Sequence, residues 1–296
     1  MKKNLIKIIT FAMTAILALS SLVGCFGERG GIHVIAREDG SGTRTAFVEL
    51  FEVYTINTYG KKVDGIALSA VTTNSTSVMM TTIAGDLNAI GYISLGSLNN
   101  TVKALKIDGV KATPENVKNG SYTISRPFLI ATNGDLNQQT QDFINFIMSK
   151  EGQKVVTDSN YIAVNDSASP FVSNGASGKV VIGGSSSVTP VMEKLKEAYA
   201  LLNPNVSIEL NTTDSSTGMS NTINGICDIG MSSRDLKDTE LSGGLKATKI
   251  ALDGIAVIVN NDCSIDSLSK EQIRAIFLGD IKNWADLSYV NDSSIE

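Results

Sequence analysis

Two rhythms of apolar positions take turns along this chain. Short apolar runs end in clusters of Gly, Ser and Thr, and each cluster opens a stretch whose apolar residues recur every three or four positions. The first unit begins with Ile32-His33-Val34-Ile35-Ala36, which predicts a strand. It continues through Arg37-Glu38-Asp39-Gly40-Ser41-Gly42-Thr43-Arg44 into a predicted helix carrying Ala46, Phe47, Leu50 and Phe51. Capping residues place further helices. Thr73-Asn74-Ser75-Thr76 precedes Val78, Met79, Ile83 and Ala84, and Thr113-Pro114 sets a cap with proline at the first helical position. Ser269-Lys270-Glu271-Gln272 is a capping box for Ile273, Ile276 and Phe277, and Gly279 closes that helix. A helix over 138–148 carries Phe143, Ile144, Ile147 and Met148. Strands are expected at 88–94, 102–107, 128–132, 206–210, 225–230 and 250–259, and 54–69 reads as a polar surface excursion.

The opening pattern recurs after 165–178, a Ser/Asn/Ala/Gly-rich linker. Lys179-Val180-Val181-Ile182 predicts a strand and Gly183-Gly184-Ser185-Ser186-Ser187 a turn. Val188, Val191, Met192, Leu195, Ala198, Tyr199 and Leu202 then trace a helix. Asp214-Ser215-Ser216-Thr217-Gly218 opens another, and Ser232-Ser233-Arg234 ends a strand in a third polar turn. Strands alternating with helices predict an α/β chain with mainly parallel sheets, whose ligands sit beyond the carboxyl ends of the strands.

Those loops carry the candidate chemistry. A strand, a glycine turn and a helix start aim unpaired N–H groups and the positive end of a helix dipole at one point, which suits an anion. Gly40 and Gly42 permit close backbone approach, Ser41 and Thr43 add hydroxyls, and Arg37 and Arg44 can add charge-assisted bonds. The turn is not a P-loop, because no Gly-Lys-Ser/Thr follows it.

Length and charge narrow the classes. The 296 residues suit two lobes. Lys2, Lys3 and Lys7 precede an apolar run over 8–23 that is short for a membrane span and ends in Leu22-Val23-Gly24-Cys25. That tetrapeptide resembles a lipobox, making 1–24 a signal peptide, Cys25 a diacylated anchor and 25–30 a tether. Loss of those three lysines moves the net charge from −5 to −8, which argues against nucleic-acid binding. Cys227 and Cys263 are either buried free thiols or a disulfide. The single histidine, His33, sits in the first strand, and neither a G-x-S-x-G elbow nor a metal cluster is present in the sequence, so an enzyme is not expected.

Seven segments together carry a family resemblance: 35–44 (IAREDGSGTR), 89–95 (AIGYISL), 125–128 (SRPF), 182–190 (IGGSSSVTP), 228–236 (DIGMSSRDL), 250–259 (IALDGIAVIV) and Asn283-Trp284. Over residues 31–287 the chain resembles the substrate-binding lipoproteins of bacterial phosphate ABC importers. The resemblance implies a type II periplasmic-binding-protein fold, two α/β lobes joined by two hinge strands. The segment order is permuted, because in the family's usual order the GGSSSVTP half comes first. One lobe is therefore expected to be split between 31–127 and 260–287, and the other continuous over 133–254. Hinge strands are expected at 128–132 and 255–259, and a tail at 288–296.

By the same resemblance the phosphate contacts fall on Arg37, Ser41, Gly42 and Thr43 of the split lobe. On the continuous lobe they fall on Ser186, Ser187, Val188, Ser215, Ser216 and Ser233. Many family members have an aspartate where Ser233 stands, so the carboxylate that accepts a P–OH hydrogen bond is expected to be Asp39, with Asp214 as substitute. Arg44 and Arg234 are secondary candidates. A carboxylate facing the ligand rejects sulfate, which has no proton to donate, by on the order of 10⁴–10⁵. The implied function is capture of inorganic phosphate by a monomer on the extracytoplasmic face of the cell membrane and delivery to an ABC permease. It needs no cofactor or metal. The alternatives are a site for another oxyanion, sulfate or molybdate, and a non-transport sensor or adhesin.

Overall fold

The structure is a computed structural model and describes residues 30–289. The expected signal peptide 1–24, the expected Cys25 anchor, all but the last residue of the expected 25–30 tether and the residues beyond 289 lie outside the described residues.

Eight principal strands form the frame: β1 His33–Arg37, β2 Val71–Thr73, β3 Ala89–Ser94, β4 Ser125–Asn133, β5 Gly178–Ser185, β6 Val206–Thr213, β7 Ile229–Ser232 and β8 Leu245–Val259. The principal helices are α1 Gly42–Leu50, α2 Thr76–Ala84, α3 Gln138–Met148, α4 Lys150–Asp158, α5 Thr189–Leu202, α6 Ser215–Ile223 and α7 Lys270–Leu278. The strands lie in one continuous order, β6-β5-β7-β4-β8-β3-β1-β2. Pairing is parallel in each flank, among β6, β5 and β7 and among β3, β1 and β2. It is antiparallel in the centre, where β4 and β8 pair with each other and with their neighbours. The expected parallel character therefore holds only for the flanks.

Two large cores and one small cluster, Ala131, Met219 and Leu245, sit on this frame. In the first, Phe47 of α1 stacks on Tyr92 of β3 at 4.0 Å between ring centres and meets Phe277 of α7 at 4.5 Å. Ile273, Ile276 and Phe277 thus pack with residues from the other end of the chain, burying the apolar stripe of a capped helix. The second core gathers Phe128, Phe143, Phe146, Tyr199 and Met231.

β8 serves both large cores. Residues 245–254 run along β4, with a bulge at Ile250, and Ile255 to Val259 pair with β3. Phe128 and Ile130 belong to the second core and Ile255 through Val259 to the first, so the expected hinge strands at 128–132 and 255–259 lie inside the lobes. The passage between cores falls a few residues earlier, at the register pair Arg126–Asp253 and at the bond from Ile255 N–H to the Ile124 carbonyl, 2.9 Å. The apolar runs mark core; the crossing itself is polar.

Local differences from the sequence reading have local causes. The 54–69 excursion holds a hairpin of Tyr54–Ile56 with Lys62–Asp64. The strand expected at 225–230 begins only at Ile229, leaving Cys227 in the preceding turn, and β8 starts five residues before 250. The 165–178 linker is tied down. Buried Asp142 on α3 accepts from Asn174 N–H at 2.7 Å, Ser173 Oγ at 2.9 Å, Tyr199 Oη at 2.7 Å and Asn203 Nδ2 at 3.0 Å. Cys227 and Cys263 are both buried free thiols.

Candidate anion-binding site

Three helix starts converge where the lobes meet. α1 follows β1 through the Glu38–Ser41 turn, with Ser41 as its cap. α6 is capped by Asp214, whose Oδ1 accepts from Thr217 N–H at 2.9 Å and whose Oδ2 accepts from Thr217 Oγ1 at 2.6 Å. α5 starts at Thr189 with no side chain capping it, so its first N–H groups remain available to another acceptor.

The lobes touch through these turns. Thr43 Oγ1 lies 2.7 Å from Ser187 Oγ, Thr76 Oγ1 lies 3.3 Å from the same atom, and Arg37 Nη2 donates to Ser186 Oγ at 3.0 Å. Ser216 N–H donates to the Gly40 carbonyl at 3.2 Å. A Cβ on Gly42 would lie 2.7 Å from Ser233 Oγ and closer still to Ser215 Oγ, and one on Gly40 would overlap the Asp214 carboxylate. Only glycine permits that approach. Within the second lobe Ser185 Oγ donates to Ser233 Oγ at 2.9 Å, and Ser233 N–H donates to Ser215 Oγ at 3.2 Å. Arg37, Ser41, Thr43, Ser186, Ser187, Val188, Ser215 and Ser233 are all buried.

The charges around this cluster come in pairs. Arg37 donates to both oxygens of Glu38 at 2.7 Å, and Arg234 to both oxygens of Glu240 at 2.7 and 2.9 Å while reaching Ser216 Oγ at 3.2 Å. Burial opposes ionisation of Glu240, but the bonds from Arg234 and Lys237 N–H outweigh it and hold the carboxyl below the usual range. Behind the serines, Arg126 Nη2 meets Asp253 Oδ2 at 3.2 Å and Arg126 Nη1 donates to the Ser233 carbonyl at 3.1 Å. Burial pushes Asp253 up to about 6 against the pull of Arg126.

Several expected residues sit elsewhere. Asp39 is 97% exposed at its side chain and 3.7 Å from Arg44, so it does not face the serine cluster. The turn that buries Ser41 and Gly42 points the residue before Gly40 outward. Arg44 pairs with Asp64 at 2.6 Å and donates to the Arg37 carbonyl at 2.7 Å, bracing the turn from outside. Asp214 lies beside Gly40, but its oxygens serve the α6 cap. Glu38, Thr76, Ser185, Arg126 and Asp253 belong to the cluster without having been singled out as site residues. Arg126 and Asp253 do lie in the SRPF and IALDGIAVIV segments, the one signal that pointed to them.

A site of buried hydroxyls, uncapped N–H groups and arginines suits a small tetrahedral oxyanion. A family model described as a PBP superfamily domain matches residues 21–151 and 170–296. The chain is 51% identical over 283 residues to phosphate-binding protein PstS 2 of Streptococcus agalactiae, covering 94% of this chain and 96% of that protein. The chain belongs to the PstS family. The crystal structure of the phosphate-binding protein of a phosphate ABC transporter from Streptococcus pneumoniae is 44% identical to it. It covers 87% of this chain and 100% of that chain, with a TM-score of 0.69. The PstS protein of Staphylococcus saprophyticus aligns over only 118 residues, 38% of this chain and 37% of that protein, at 37% identity. The fold of this PstS-family chain is thus the mixed α/β fold of the phosphate-binding proteins.

Proposed function

We propose that this chain captures inorganic phosphate between its lobes and delivers it to the permease of an ABC importer. The observation that carries this reading is the meeting of Arg37, Gly40, Gly42 and Thr43 with Ser186, Ser187, Ser215, Ser216 and Ser233 at three helix starts, with Ser41 and Val188 buried beside them, within a chain half identical to a named phosphate-binding protein. Closure around the anion supplies donors from both sides, and one chain carries both halves of the site, as a monomer requires. Titration of phosphate, sulfate and molybdate by calorimetry into a form beginning near Gly31 tests it. Phosphate binding with weaker sulfate binding is expected, and absence of phosphate binding overturns the reading.

One observation favours the second reading, a site for another oxyanion. Every carboxylate of the cluster is engaged by a donor of the protein, and a serine hydroxyl stands where an anion would repel sulfate. Tighter sulfate or molybdate binding in the same titration would select it. Ser233 and Ser185 hydroxyls, which both donate and accept, are the groups we assign to a P–OH proton.

Anchoring through Cys25 on the extracytoplasmic face is proposed from the lipobox alone. Cys25→Ser should abolish detergent partitioning, and unchanged membrane attachment would refute it. The permuted order is supported by the partial alignment with the staphylococcal relative, since permutation leaves only one run of segments collinear. Permutation is mild when the joint lies at the surface and is well held, as 165–178 is by Asp142.

A further inference from the structure

The arginines of the cluster between the lobes are already paired before any anion enters. Among the cluster's described residues three arginines, Arg37, Arg126 and Arg234, each face one carboxylate, Glu38, Asp253 and Glu240. A phosphate bound there adds negative charge beside arginines that are already paired and beside the Asp214 carboxylate, and an uncompensated buried charge is costly. One pair differs from the others by position. Arg126 and Asp253 face each other on the two crossing strands, and both are buried. Arg126 reaches forward to the Ser233 carbonyl at 3.1 Å, and Asp253 Oδ1 reaches back to Ser94 Oγ at 2.9 Å and Gly96 N–H at 3.3 Å in the other lobe. A bonded chain therefore runs from the anion-site turn of one lobe through both crossings into the other.

We propose that Asp253 takes up a proton from solvent when the anion binds, freeing the Arg126 charge to balance the ligand, so that Arg126 is a positioning residue and counter-charge of the site. The inference rests on the anion-capture reading above. The groups facing Asp253 allow it. Arg126 is the cation in contact and favours the ionised Asp253 carboxyl against the larger effect of burial, and Arg37, beyond it, works against the Arg126 charge, which an added anion relieves. Of the phenols of Tyr122 and Tyr161, burial pushes the first far up and the second to about 12, so neither titrates near neutrality. The carboxyl of Asp253, pushed up to about 6 by burial, is poised for the step, and an added negative charge drives it higher. The bonds from Ser94 Oγ and Gly96 N–H go to Oδ1, so Oδ2, released by Arg126, is the oxygen that takes the proton.

Inorganic phosphate is titrated near pH 7 into the wild-type protein and Asp253→Asn, in two buffers of different ionisation enthalpy. The ligand's own protonation contributes equally to both, so the difference in proton count belongs to Asp253. Wild-type should take up more protons than the variant, by up to one. The ratio of wild-type to variant affinity should rise by up to about tenfold per pH unit as pH falls from about 8 to about 6. Equal proton counts, with phosphate bound by both, overturn this inference alone; no phosphate binding by the wild-type overturns the capture reading as well. Should Asp253→Asn fail to fold, infrared difference spectra of the wild-type decide. A carboxylic-acid carbonyl band that grows on phosphate addition supports the inference, and its absence overturns it.

Discussion

Thr43 Oγ1 and Ser187 Oγ, 144 residues apart in sequence, lie 2.7 Å apart at the seam between the lobes. Each hydroxyl sits at the start of a different helix, α1 and α5, and each is buried. Their contact joins the two Gly/Ser turns that recur in the sequence into one site.

Arg37 is the arginine that reaches across this seam, to Ser186. Arg37→Ala should weaken phosphate binding by roughly 1.5–3 kcal/mol, the range of a charge-assisted bond. Calorimetric titration at fixed ionic strength checks it, and affinity within twofold of wild-type would remove Arg37 from the site.

Gly42 leaves no room for a methyl group against Ser215 and Ser233. Gly42→Ala should hold the lobes apart and weaken the anion site by about 1–3 kcal/mol, the usual cost of overpacking. The melting temperature of the unliganded protein should change little, since the clash is relieved by opening. Small-angle scattering with and without phosphate distinguishes failed closure from a misfolded lobe.

Asp39 faces solvent beside Arg44. Asp39→Asn should therefore leave both the phosphate-to-sulfate ratio and the stability unchanged, the latter within about 0.5 kcal/mol. A drop in selectivity with stability intact would restore Asp39 as the acceptor of the ligand's proton.

Asp142 ties the 165–178 joint, through Ser173 and Asn174, to the end of α5, through Tyr199 and Asn203. Burial works against its ionisation, but the bonds from Asn174, Tyr199, Asn203 and Ser173 outweigh that and keep the carboxyl below its usual range. Its stabilising contribution is thus fully present above the unfolded value of about 3.9 and lost as pH falls through the lower folded value. Asp142→Ala should cost roughly 3 kcal/mol at neutral pH by leaving buried donors unpaired, with phosphate affinity unchanged. Denaturant melts from pH 7 to pH 3 should show a shallower acid loss in the variant than in wild-type.

Much of this protein is written in local sequence. The Ser269–Gln272 capping box, Pro114 at a helix start and the Asp214 cap form as residues within four positions of each other dictate. The period of the apolar residues gave α1, α3, α5 and α7, and the Gly/Ser turns marked the anion site, because strand, turn and helix start are adjacent in the chain. Orientation within those turns was not legible. Asp39 and Ser41 are two residues apart, yet one faces solvent and the other is buried.

What only the tertiary structure decided depends on residues far apart in sequence. Arg126 and Asp253 look like stray charges in apolar runs until β4 and β8 pair and bring them together at the crossing. Asp142 reads as one polar position on a helix until the 165–178 joint folds onto it. Short-range patterning sets which face of an element is apolar, since that follows from backbone geometry alone. Which buried charge meets which partner is set by strand register and lobe packing, since a buried charge is tolerated only where the whole fold delivers its counterpart.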